Sequence, residues 1–111
     1  MEITRNELGG GVAVLRLVGK LNIVSASTLR DFVRVAIAED QIWLTVDMTR
    51  VDFLDSSGLG ALINGLKSAR LAGGDLRIIG PNEQVRLVLN LTNLDTLLVT
   101  VDRAEEAFAH G

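Results

Sequence analysis

The feature of this sequence that most constrains its fold is a change of hydrophobic period on either side of residues 51–60. Before this run, from residue 42 to residue 48, every second residue is apolar, which is typical of a β-strand with one buried face. After it, the apolar residues recur every three or four positions, as on one face of an α-helix: Leu59, Leu62, Ile63, Leu66 and Ala69. The sequence therefore predicts a strand that passes into a helix through Ser56, Ser57 and Gly58.

The rest of the chain repeats these two periods in a regular order. Residues 3–8 and 12–21 read as strands on either side of three consecutive glycines, which favour a tight reversal and hence an antiparallel hairpin. A helix capped by Ser25 or Ser27 is expected next. The predicted order is β-β-α-β-α-β-α-β-α, with the last strand at residues 97–101. Because crossovers through helices join parallel strands, we expect an α/β fold with a mixed sheet of about five strands and about four helices, unevenly shared between its faces.

Composition narrows the classes of function. The 111 residues, 48% of them hydrophobic, fit a single domain over residues 1–111. The net charge is −3 without a basic cluster, so direct nucleic-acid binding is not expected. There is no cysteine and the single histidine is His110, which leaves almost no material for a metal site, and no cofactor is predicted. The N-terminus lacks an apolar signal core and no segment resembles a membrane helix, so we expect a soluble, cytoplasmic protein without membrane insertion.

The residues alone leave the role of the serines open. A Ser-Ser-Gly sequence at a helix start is usually a structural cap, but an exposed serine there is also accessible to a kinase. Asp55 is equally well explained as a turn residue or as part of a partner surface. A hydrolase with Ser57 as its nucleophile is disfavoured, because the chain lacks G-x-S-x-G and its only imidazole is the penultimate residue. We therefore do not expect an enzyme.

The serine motif in this setting resembles the STAS domain of bacterial anti-sigma factor antagonists (anti-anti-sigma factors). The resemblance is carried by residues 55–60, Asp-Ser-Ser-Gly-Leu-Gly, between a strand and an apolar-striped helix, and it extends over essentially the whole chain. Residues 19–22, Gly-Lys-Leu-Asn, are similar to the Gly-x-Leu-Asp segment of that family. Gly80 and Pro81 fall where the family often turns out of its fourth strand.

The resemblance implies a partner-switching function in bacterial transcription regulation. In that family the unmodified antagonist binds an anti-sigma factor that is also a serine kinase, and this frees the sigma factor. The kinase phosphorylates the second serine of the motif, and a phosphoserine phosphatase restores it. Transferred by motif position, Ser57 is the phosphorylation site, and the expected partner-binding residues are Asn22, Asp55, Ser56, Gly58 and Leu59.

One position departs from the family pattern, and one rival function remains. The family usually has an aspartate where this chain has Asn22, and asparagine keeps the size and hydrogen-bonding ability of that residue without its charge. The role of the missing carboxylate is therefore not carried over. The rival is a STAS module that does not switch, acting as a ligand sensor or as a subunit of a transporter ATPase complex, because one fold can host several functions.

Overall fold

The computed structural model describes residues 1–108 of the chain. His110 lies outside the described residues. The chain forms five strands, four α-helices and one 3-10 turn within that range: β1 Glu2–Gly9, β2 Val12–Leu21, α1 Ile23–Ala38, β3 Trp43–Leu54, α2 Ser56–Leu71, β4 Asp75–Ile79, α3 Glu83–Leu91, the 3-10 turn Leu94–Thr96, β5 Thr100–Val101 and α4 Ala104–Ala107. None of the helices within residues 1–108 is long and apolar enough to cross a membrane.

The five strands form one mixed sheet whose spatial order is the order of the chain, β1-β2-β3-β4-β5. The first pair is antiparallel, and each later pair is parallel. All three glycines of the β1–β2 turn have positive φ angles, between 63° and 85°, which residues with a Cβ rarely adopt. The predicted α/β fold with an N-terminal hairpin followed by parallel strands is confirmed.

The two faces of the sheet are covered unequally. One face of the sheet packs against α1 and α2. Its residues include Leu15 of β2, Leu44 of β3 and Ile78 of β4, which are fully buried in the core. The opposite face carries Trp43, whose ring meets that of Phe108 edge to face, with 5.5 Å between the centroids. Phe108 directly follows the four-residue helix α4, so this short segment near the end of the described residues packs on the second face. The predicted uneven sharing of the helices between the two faces is found.

Two strand boundaries differ from the sequence prediction by more than one residue. The last strand is Thr100–Val101 instead of residues 97–101, because the backbone N–H groups of Leu97 and Leu98 donate to the carbonyl oxygen of Leu94 and extend the preceding turn. The third strand runs on to Leu54, six residues past the last predicted one. Since β4 pairs only with residues 43–47, the end of β3 extends beyond β4 and reaches the start of α2.

The cap of α1 was predicted wrongly. Asn22, and not Ser25 or Ser27, is the N-cap residue, and its side-chain oxygen accepts hydrogen bonds from the backbone N–H groups of Val24 and Ser25. The hydroxyl of Ser25 instead accepts from the backbone N–H of Asn22 at 2.9 Å and donates to the carbonyl oxygen of Lys20 at 2.8 Å. This reciprocal capping box fixes the turn between β2 and α1.

Candidate functional site

Two helix N-termini lie side by side at one end of the sheet. β2 and β3 are parallel neighbours whose last residues, Leu21 and Leu54, pair with each other. The backbone N–H of Asp55 donates to the carbonyl oxygen of Leu21 at 3.2 Å, which joins the two strand-to-helix turns. The predicted site residues Asn22 and Asp55 are the caps of these two helices, so the fold brings together residues that are 33 positions apart in the sequence.

The cap of α2 is Asp55, so neither serine is needed for that purpose. A carboxylate oxygen of Asp55 accepts a hydrogen bond from the backbone N–H of Gly58 at 2.9 Å. Ser56 and Ser57 are the first and second residues of the helix. Ser56 is exposed and Ser57 is half-buried. Within residues 1–108 the Ser57 hydroxyl has no hydrogen-bond partner. Four side-chain atoms in this range are buried without a partner, and the Ser57 hydroxyl is not among them. The oxygen at position 57 is therefore not sealed from solvent, and no hydrogen bond within residues 1–108 gives it a structural task.

The next two predicted residues lie beneath this surface. A Cβ at Gly58 would lie 2.8 Å from Cγ of Leu21 and closer still to its carbonyl oxygen, so the close approach of α2 to β2 requires glycine here. The side chain of Leu59 is only 7% exposed and belongs to the hydrophobic core. Leu59, one of the expected partner-binding residues, therefore does not present its side chain at the surface. Gly58 and Leu59 support the serine turn from inside, Ser56 is exposed, and Asp55 and Ser57 are half-buried.

A second set of contacts braces the strand that leads to the serines. The side-chain amide of Gln84, in the first turn of α3, accepts from the backbone N–H of Leu54 at 3.0 Å and donates to its carbonyl oxygen at 3.1 Å. The side chain of Asn82 caps α3 and donates to the carbonyl oxygen of Val51 at 3.1 Å. Because β4 does not reach this part of β3, Gln84 satisfies backbone groups that the sheet leaves unpaired.

Sequence reasoning missed both of these amides. Each bonds to backbone about 30 residues away, and an amide side chain near a helix start carries no sign of such a partner. It also missed an exposed apolar rim. Ile23 and Val24, in the first turn of α1, are 73% and 79% exposed. Phe53, the second-last residue of β3, is partly exposed. The exposure of Ile23 and Val24 could have been inferred from the sequence, because both residues directly follow a predicted strand and lie off the apolar stripe of their helix.

The site combines three kinds of surface. The Ser57 hydroxyl stands at the start of α2, where free backbone N–H groups and the helix dipole favour an anion. Asp55 adds negative charge as the half-buried cap of the same helix, and Asp52 is an exposed carboxylate five residues before Ser57 in the sequence. The apolar rim of Ile23, Val24 and Phe53 offers area that a partner can bury. Such a surface suits protein binding that is sensitive to charge at position 57.

Sequence relatives of the chain include regulators of sigma factors. The anti-sigma-B factor antagonist of Bacillus subtilis is 26% identical over 84 residues, which are 76% of either chain. Two Thermotoga proteins are 42% and 40% identical over 60 residues, a region that spans about half the length of this chain and of those relatives.

Solved structures share the fold over nearly the full length. A Thermotoga maritima crystal structure superposes with a TM-score of 0.87 at 29% identity, covering 97% of this chain and 92% of that one. The Bacillus cell fate determinant SpoIIAA in its phosphorylated form gives a TM-score of 0.76 at 21% identity, covering 98% of both chains. Residues 5–107 match the family profile of the STAS domain. That range contains β2 to α4, both helix caps and the serine turn, and the chain therefore belongs to the STAS domain family.

Proposed function

We propose that the chain is an anti-sigma factor antagonist. In its unphosphorylated form it binds an anti-sigma factor with serine kinase activity through the surface around Ser57, and a sigma factor is released. Phosphorylation of Ser57 by that kinase ends the binding, and a phosphoserine phosphatase restores it. The chain acts in the cytoplasm by protein binding and is not an enzyme.

The observation that carries this proposal is the division of roles between Asp55 and Ser57. Asp55 caps the helix, and the hydroxyl of the half-buried Ser57 has no hydrogen-bond partner among the residues that the structure describes. A phosphate on that oxygen adds about −1.5 to −2 charges at neutral pH. The start of α2 tolerates such an anion because its N–H groups and dipole favour negative charge. The modification is therefore compatible with the folded domain.

The same phosphate is unfavourable for a partner that packs over the apolar rim. On the partner's side the phosphate is a bulky charge that has to be desolvated, and it adds to the negative charge of Asp55, the cap of the same helix. A close pair of unit charges at the protein surface interacts with about 1 to 4 kcal/mol, depending on screening. Since each 1.4 kcal/mol is about tenfold in affinity, a loss of a few kcal/mol converts a tight complex into a negligible one.

The role of Asn22 fits the same surface. Its side-chain oxygen is occupied by the backbone of α1, so its contribution at this end of the sheet is to fix the turn that presents Ile23 and Val24. Its neutral amide adds no further negative charge beside Ser57. We propose that Asn22 and Ser56 contribute to partner binding at the edge of the surface, with Gly58 and Leu59 supporting it from below.

Purification of the native chain from its own cells, followed by identification of bound proteins and intact mass, tests the proposal. We expect a kinase-like partner and a subpopulation that is heavier by one phosphate. Binding to that partner is then compared for the Ser57→Ala, Ser57→Asp and Ser56→Ala variants. We expect Ser57→Ala to bind like the native chain, Ser56→Ala at the edge of the surface to lose no more than a few-fold in affinity, and Ser57→Asp to bind at least tenfold more weakly.

Two results would contradict the proposal. If Ser57→Asp bound the partner as tightly as Ser57→Ala, charge at position 57 would not control binding. If neither variant changed the behaviour of the chain, and a small molecule or a transporter subunit was recovered in place of a kinase, the rival STAS module without a switch would be the better description.

A further inference from the structure

We propose that the guanidinium group of Arg30 receives the phosphate placed on Ser57, so that the phosphorylated chain is held by an ionic contact between α1 and α2. This inference rests on the proposed phosphorylation of Ser57. It gives α1 a role in the switch, through a residue that lies outside the serine motif.

The position of Arg30 relative to α2 carries the argument. Its terminal nitrogen Nη2 lies 3.7 Å from the point that a Cβ at Gly60 would occupy. Gly60 follows Ser57 by three residues on α2, and helical residues at this spacing lie on the same side with Cβ positions about 5–6 Å apart. Nη2 is therefore within about 10 Å of the Ser57 Cβ. The phosphate oxygens extend beyond the serine oxygen, and a long arginine side chain closes the remaining gap by rotation.

The direction of the side chain and the space beside it favour the same contact. α1 and α2 begin at the same end of the sheet, and helical side chains lean towards the N-terminus of their own helix. Arg30, the eighth residue of α1, therefore leans towards the end that carries Ser57. Gly60 has no side chain, and a Cβ there would contact only Arg30 within 4 Å. No side chain at position 60 stands between the two groups.

The charge of Arg30 is uncommitted before phosphorylation. Its side chain is exposed, and among residues 1–108 no carboxylate lies within salt-bridge distance of it. Arg34, one turn further along the same helix, is paired with Asp31 at 3.5 Å. Arg30 and Arg34 both line an open groove of about 410 Å³ between α1 and α2, which leaves room for a change of rotamer. A phosphate opposite a free arginine forms one or more charge-assisted hydrogen bonds.

Other charged groups at this end define the controls. Asp52 and Asp55 repel the phosphate, so a cation is needed to offset them. Lys20, exposed near the end of β2, is the competing cation. The test therefore compares Arg30→Gln with Lys20→Gln and with Arg34→Gln, which removes the same charge from the same helix one turn away. All three positions are exposed, so each variant is expected to fold, as circular dichroism can verify.

The experiment uses the full chain with phosphoserine introduced at position 57 during synthesis, so that no kinase is required. In NMR spectra of the arginine Nε–Hε groups, we expect the Arg30 signal to shift and to exchange more slowly when phosphoserine replaces serine, and the Arg34 signal to stay in place. We also expect Arg30→Gln to lower the melting temperature of the phosphorylated chain relative to the unphosphorylated one by about 1–5 °C. The other two variants should leave this difference unchanged.

The inference is overturned if the Arg30 signal does not respond, if Arg34→Gln has the same effect as Arg30→Gln, or if only Lys20→Gln has one. Its failure is distinct from failure of the proposed function. A phosphorylated chain that still binds the anti-sigma factor would refute the switch while the Arg30 contact stands. Loss of binding without any response of Arg30 would refute only the contact.

Discussion

Replacement of Gly58 by alanine should destabilise the protein, although alanine is the better helix former. The added Cβ would lie 2.8 Å from Cγ of Leu21 and 2.9 Å from its carbonyl carbon. Leu21 is fully buried, and its carbonyl oxygen already accepts a hydrogen bond from Asp55. The clash is therefore with backbone that cannot move aside without opening the joint between β2 and α2.

The magnitude follows from two opposing terms. Forcing an extra methyl group into a packed site costs about 1–3 kcal/mol, and more where the obstacle is backbone. Alanine regains up to about 1 kcal/mol of helix propensity relative to glycine. We expect a net loss of about 1–3 kcal/mol in the free energy of unfolding for Gly58→Ala. Gly60, two residues on in the same helix, is the matched control. An added Cβ there meets only Arg30 at 3.7 Å, an ordinary contact.

Urea denaturation of the two variants decides the matter. Gly60→Ala should raise the urea midpoint, with a gain of about 0.5–1 kcal/mol in the free energy of unfolding. Gly58→Ala should lower the midpoint, and the m-values of both variants should be unchanged. The opposite signs separate the local steric effect from general helix propensity. The reasoning is refuted if Gly58→Ala is as stable as Gly60→Ala, because the close approach of α2 to Leu21 would then not constrain the residue at position 58.

Three further predictions concern the caps and the sheet. Asn22→Ala should lower the stability in urea by about 0.5–2 kcal/mol, whereas Asn22→Asp, which keeps the cap, should change it by only a few tenths; equal losses would contradict the capping role. Gln84→Ala should cost about 1–3 kcal/mol and speed hydrogen exchange of the Leu54 amide, because both backbone groups of Leu54 lose their partner; an unchanged exchange rate would contradict this. Burial alone would raise the pKa of Asp47, but hydrogen bonds from Thr49 and the nearby Arg16 hold that pKa below its usual value. The carboxylate therefore stabilises the fold above the unfolded pKa of about 3.9, and the advantage of the native chain over Asp47→Asn should shrink as the pH falls through the folded pKa; a constant difference in pH-dependent unfolding would speak against it.

The division between cap and serine has a consequence for how such a switch is built. A serine that capped its helix could not be phosphorylated without loss of the cap, which is typically worth about 1 kcal/mol. Here Asp55 holds the helix in both states, and the proposed modification changes only the surface. The recognition site can then be altered without a change in the fold that presents it.

Local patterns in the sequence were sufficient for the fold class. The change of hydrophobic period predicted the strand and helix around residue 57, and the three glycines predicted the hairpin that opens the sheet. The N-cap residue of α1 was harder to predict, because Asn22, Ser25 and Ser27 all have side chains that can cap a helix. The folded chain decides among them, because the side-chain oxygen of Asn22 accepts from the N–H groups of Val24 and Ser25, while the Ser25 hydroxyl bonds to the backbone of Asn22 and Lys20.

The sequence by itself determined the order of the elements and the place of Ser57 at a helix start, because periodicity and turn chemistry act over a few neighbouring residues. Tertiary structure alone decided that the turns of Asn22 and Asp55 lie together, that Leu59 is buried, and that Gln84 braces the end of β3. These facts depend on strand register and on backbone groups left unpaired by the sheet, and both are set by contacts between residues about 30 positions apart.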